Sequence, residues 1–140
     1  MNLIGELELD NRETGIHHLN QSEENYIGER WGDSISNSRK FLELVLQEVT
    51  AKHHLAERSM PIDPETYDKP GQVRKYLANA GLLSEKEKQA FDDIYSLLSE
   101  TGAHPYIAAR EQARLMRHLA LTLSQFVLLR LRGYLNSKQP

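Results

Sequence analysis

The last quarter of this chain carries Ala109, Ala113, Met116, Ala120, Leu123, Val127 and Leu131, which recur at steps of three and four. That spacing places them along one side of a helix. Leu115, Leu119 and Phe126 thicken the seam. The pattern runs from about Ile107 to Leu135, and predicts a helix roughly 40 Å long. A compact chain of 140 residues has a radius of gyration of about 14 Å. A helix of that length spans the whole body or protrudes from it. Its middle, "LALTLSQFVLLRL", is apolar nearly all round, which predicts cover on several sides and suits a homodimer seam as one of them.

The other elements follow the same period. Trp31, Ile35, Ser38, Leu42, Val45 and Val49 alternate in steps of four and three, with Phe41 and Leu46 widening the stripe. This predicts an amphipathic helix with a broad buried face, and Asp33 and Ser34 suit its start. Residues 16–27, "IHHLNQSEENYI", predict a shorter helix with Ile16, Leu19, Glu23 and Tyr26/Ile27 on one side and Gly28 at its end. "RSMPIDPETYDKPG" holds three prolines and predicts a breaker-rich loop. "QVRKYLANAG" predicts a short helix stopped at Gly81. Ser84 with Glu87 forms a capping box, and opens a helix whose stripe is Ala90, Phe91, Ile94, Leu97 and Leu98 and whose end is Gly102, before Pro105. The first fourteen residues suit a short helix, an arm or a strand. The expected fold is all-α: a bundle of four to five helices over residues 16–136 with a long C-terminal helix, preceded by an N-terminal arm over residues 1–15.

Composition removes several chemistries. There is no cysteine, hence no disulfide, thiolate nucleophile or cysteine-based zinc site. The start, "MNLIGELELDNRE", carries acids where a signal peptide needs bases, and the longest apolar stretch falls short of a bilayer span. A soluble, cytoplasmic protein with no membrane partner is expected. The net charge of −3 hides an asymmetry. Residues 1–30 hold seven acids and two bases, and residues 106–140 hold one acid and six bases. The two ends either pack against each other, in one chain or across a dimer, or the basic end meets a polyanion such as RNA. A net acidic chain favours the first.

Six histidines invite a metal reading. Four of them form the adjacent pairs His17-His18 and His53-His54, which diverge on a helix and cannot chelate one ion. They read as exposed helix-end residues. No metal or other cofactor is expected, and no phosphate loop or nucleophile elbow is present. His104 sits at a helix break beside Glu100. It is either a general acid or base or a residue that caps the preceding helix, and the spacing favours the cap. Arg110, Arg114 and Arg117 share a helix face, and form either a phosphate track for RNA or a solvated face paired with the acidic N-terminal region. Arg39 and Glu43 stand four apart as an ion pair, with Arg39 a candidate cation for a phosphate if its helix packs beside His104.

Two stretches, "RWGDSISNSRKFLELVLQEV" and "DDIYSLLSETGAHPYIAAREQARLMRHLALTLSQFVLLRL", resemble the early helix and the last two helices of HEPN domains of the bacterial abortive-infection and toxin type. The resemblance covers residues 17–135. It implies a helical bundle that dimerises along its long helices. It also implies that active members cut RNA without a metal, using an arginine and a following histidine with four to six residues between them. With His104 as that histidine, the arginine should stand at 97, 98 or 99. Those positions are Leu97, Leu98 and Ser99. The guanidinium that would offset phosphate charge in the transition state is missing. The resemblance therefore implies one of two functions. The first is a non-catalytic module of a phage-defence or toxin system that dimerises and binds a partner protein or RNA. The second is a divergent ribonuclease in which His104 is the acid/base beside Glu100, and Arg39, or failing it Arg74, binds the phosphate.

Overall fold

A computed structural model describes residues 3–103 and 109–138. The described residues form seven helices and no strand: α1 Leu3–Glu6, α2 Arg12–Ile27, α3 Trp31–Arg58, α4 Pro64–Asp68, α5 Pro70–Asn79, α6 Glu85–Ala103 and α7 Arg110–Ser137. The protein is all-α. None of these helices is long and apolar enough to cross a membrane.

Helix α3 is the centre. Its stripe is buried as the spacing predicts: Ile35, Ser38, Leu42, Val45 and Val49 are closed to solvent, with Phe41 and Leu46 beside them, and Trp31 is half-buried. α2, α5, α6 and α7 all pack on it. From α7, Ala113, Met116, Ala120, Val127 and Leu131 complete the core. Leu115, assigned to that seam by its spacing, instead stands 53% exposed, because the side of α7 facing α3 is already filled by Ala113, Met116 and Ala120.

Helix α2 departs from its expected face. Ile16 and Ile27 are 43% and 73% exposed, while Gly15, Ser22 and Asn25 turn inward. Small side chains let α2 approach α3 closely. The Ser22 and Ser38 hydroxyls lie 2.7 Å apart, and Ser34 donates to the Ser22 carbonyl at 2.8 Å. A Cβ on Gly15 would meet Leu44 at 3.1 Å. These hydroxyls are buried but satisfied, so the contact avoids the penalty of stranded polar groups.

The chain before α2 joins the body: Leu3, Leu7 and Leu9 are buried in the common core. The proline-rich segment is not wholly loop. Asp63 caps α4 by accepting from the Glu65 N–H at 3.2 Å, and Pro64 and Pro70 occupy first-turn positions where a missing N–H costs nothing. Gly81, at φ +79°, supplies the left-handed turn after α5. The capping box forms: the Glu87 N–H donates to Ser84 Oγ at 3.1 Å and the Ser84 N–H to Glu87 Oε1 at 2.8 Å. Helix α6 passes through Gly102 to Ala103 instead of stopping at the glycine.

Candidate functional site

Two regions gather chemistry-bearing side chains. The first surrounds Arg39. Its Nη1 lies 3.5 Å from Glu43 Oε2, and the Tyr95 hydroxyl of α6 donates to the same carboxylate at 2.9 Å. The Arg74 guanidinium, from α5, lies 4.4 Å over the Tyr95 ring and reaches Asp92 at 2.5 Å, where Lys88 joins at 2.8 Å. Burial opposes the charge on Asp92, but the hydrogen bonds from Lys88 and Arg74 outweigh it and hold the carboxyl below its usual range. Both arginines that could replace the missing motif residue therefore belong to one network tying α3, α5 and α6 together, each beside a carboxylate.

The remaining sequence candidates are dispersed. His104 lies outside the described residues. Glu100 is exposed on α6. Arg110 and Arg114 are exposed at the start of α7, whereas Arg117 turns toward α2, 3.9 Å from Glu23 and 5.7 Å over the Tyr26 ring. A second bridge, Arg132 to Glu6 at 3.6 Å, repeats the pattern. The basic C-terminal region thus meets the acidic N-terminal region within one chain. The track expected from Arg110, Arg114 and Arg117 keeps two residues without an ion pair among the described residues.

The second region was not anticipated. Helix α3 runs past its predicted stripe to Arg58, and His53 stands one step of four beyond Val49. Far from being an exposed helix-end residue, it is 4% exposed. Its Nδ1 is 2.7 Å from the Tyr76 hydroxyl of α5, and its ring centroid is 4.3 Å from that of Tyr134 of α7. Burial pushes the His53 pKa down. His54 is half-buried beside it, its Nδ1 2.9 Å from the Met60 carbonyl. The Tyr134 hydroxyl donates to Glu57, and Lys138 approaches the same carboxylate at 3.2 Å. These two hydrogen bonds, the Tyr134 one foremost, hold Glu57 below the usual carboxylate range. Together these side chains line a cavity of about 740 Å³. The signal for it was present in the sequence: His53 continues the rhythm of Leu42, Val45 and Val49 by one further step of four.

Elsewhere, Glu48 is buried and accepts from Asn11 Nδ2 at 2.9 Å and from the Tyr67 hydroxyl. Among the described residues no three histidine, aspartate or glutamate side chains gather to hold a metal ion. Comparisons with known protein families, with curated proteins and with solved structures return no match.

Proposed function

We propose that this chain is a HEPN-like helical module of a phage-defence or toxin system that pairs with a second copy and binds a partner protein or RNA without cutting it. The reading rests on Arg39. A cation that stabilises a phosphoryl transition state must be free to meet developing charge. Arg39 is instead beside Glu43, whose carboxylate is further fixed by Tyr95. Arg74, the other replacement, is committed to Asp92. What favours pairing is the outer side of α7. Leu115 and Leu129 stand fourteen residues apart, about four turns, on nearly the same side of the helix, and are 53% and 38% exposed. Arg110 and Arg114 supply exposed positive charge at the same helix's start.

The second reading is a metal-independent ribonuclease, with His104 as acid/base beside Glu100 and Arg39 as phosphate binder. It is favoured by the long 3.5 Å contact of Arg39, which a phosphate could outcompete. Incubation of the purified protein with a mixed RNA pool in EDTA, beside His104→Ala and Arg39→Ala, separates the two. The module reading expects no cleavage, a dimer by light scattering and loss of that dimer in Leu129→Glu. Cleavage that both substitutions abolish would overturn it in favour of the ribonuclease. A monomer that neither binds nor cuts RNA would remove both.

A further inference from the structure

We infer that the cavity between α5 and the C-terminal ends of α3 and α7 is a binding site for a small organic acid, a planar ring bearing a single carboxylate. Its volume of about 740 Å³ lies in the range that holds small ligands, about 300–1,000 Å³. It is separate from the region around Arg39 and from Arg110 and Arg114, since Tyr134 lies about 36 Å along α7 from Arg110.

The walls define the ring. His53, Tyr76 and Tyr134 come from three helices, with the His53 centroid 4.3 Å from Tyr134 and 5.6 Å from Tyr76. Such faces receive a flat ring in offset or edge-on contact. They are also fixed in advance. His53 is buried and its Nδ1 is held by the Tyr76 hydroxyl, while the Tyr134 hydroxyl is held by Glu57. A preformed wall spares a ligand the ordering cost of assembling it. With Nδ1 committed, Nε2 is the ring nitrogen of His53 left for a polar group on the ligand.

The charges define the anion. Glu57 and Lys138 offset each other across 3.2 Å. Arg58, the last residue of α3, also lines the cavity and makes no ion pair among the described residues. Its charge is felt inside: burial pushes the Tyr76 hydroxyl up, and Arg58 pulls against it. One uncompensated cation matches one negative charge. A carboxylate also fits the planar fork of a guanidinium in a bidentate pair. A phosphate dianion would bring a second charge with nothing to meet it, and a neutral ring would leave Arg58 unused. Asn79 on the same wall offers both a donor and an acceptor.

The test is a titration of the full chain, followed by amide N–H resonances, with benzoate, 4-hydroxybenzoate and indole-3-carboxylate, each beside its own amide, and with phenyl phosphate. At least one acid is expected to give saturable shifts confined to residues 53–58, 76–80 and 134–138. Its amide is expected to bind about tenfold more weakly, and Arg58→Gln to weaken the acid by about the same factor, as loss of a charge-assisted hydrogen bond requires. Arg58 is exposed, so this variant keeps the fold, and an unchanged melting temperature checks it. Tyr76→Leu is expected to abolish binding of the acids. No saturable shift from any of the three acids overturns the inference. So does an amide or phenyl phosphate that binds as tightly as the acid, or an acid indifferent to Arg58→Gln.

Discussion

The most exposed decision this chain makes at single residues is to bury polar groups and then satisfy them. Glu48 is 5% exposed yet holds two donors, Asn11 and Tyr67. Burial and the bond to that carboxyl push the Tyr67 hydroxyl well above its ordinary pKa. Tyr67→Phe is expected to cost about 1–3 kcal/mol, the worth of a buried hydrogen bond to an acidic group, read as a lower urea midpoint with an unchanged slope. His53 makes a different prediction. Its folded pKa lies below 6.5 because burial penalises the cation. As pH falls below 6.5, the unfolded chain takes up this proton before the folded one does, so stability declines from there through the lower folded value. Urea midpoints measured between about pH 8 and about pH 5.5 should fall toward acid. His53→Gln should flatten part of that slope. His18, also held down chiefly by burial, retains another part.

Among the elements, those built on apolar spacing were the ones legible in the sequence. The stripes of α3 and α7 announced themselves because leucines, valines and isoleucines at steps of three and four allow no other period. Ser84, Glu87 and Gly81 were equally readable, since each meets a local backbone demand. Ser84→Ala should therefore cost about 1 kcal/mol, measured as a shift in melting temperature, because the Glu87 N–H in the first turn of α6 loses its acceptor. Helix α2 was misread on its inner face because Gly15, Ser22 and Asn25 make that contact by being small or well bonded, which hydropathy cannot register. Ser22→Leu should cost about 1–3 kcal/mol by overpacking, read by urea titration, although the substitution would improve the helix by any count of apolar residues. Helix α4 is too short to have a period. The cavity stayed hidden for another reason. Tyr76 and Tyr134 are far apart in the chain, and only the packing of α5 and α7 on the end of α3 brings both rings to His53. The pairing of Arg39 with Glu43 could be read from their spacing, but Tyr95's bond to the same carboxylate could not.

For the molecule as a whole, α3 is the shared partner of every large helix, while α6 and α7 touch each other sparingly, through pairs such as Phe91–Phe126 and Glu87–Arg130. Residues 3–9 belong to this body. Leu9→Ala should lower stability by about 2–5 kcal/mol, checked by urea titration, a loss that a solvent-exposed arm would not produce. The central position of α3 also has a consequence for synthesis. Helix α2 and α3 are consecutive and can pair as soon as both have left the ribosome. The part of α3 that α7 covers must wait until α7 is made, because α7 begins at Arg110, fifty-two residues after α3 ends at Arg58. Throughout that interval the nascent chain carries a naked apolar flank of the kind that holdase chaperones cover and that aggregates when they do not.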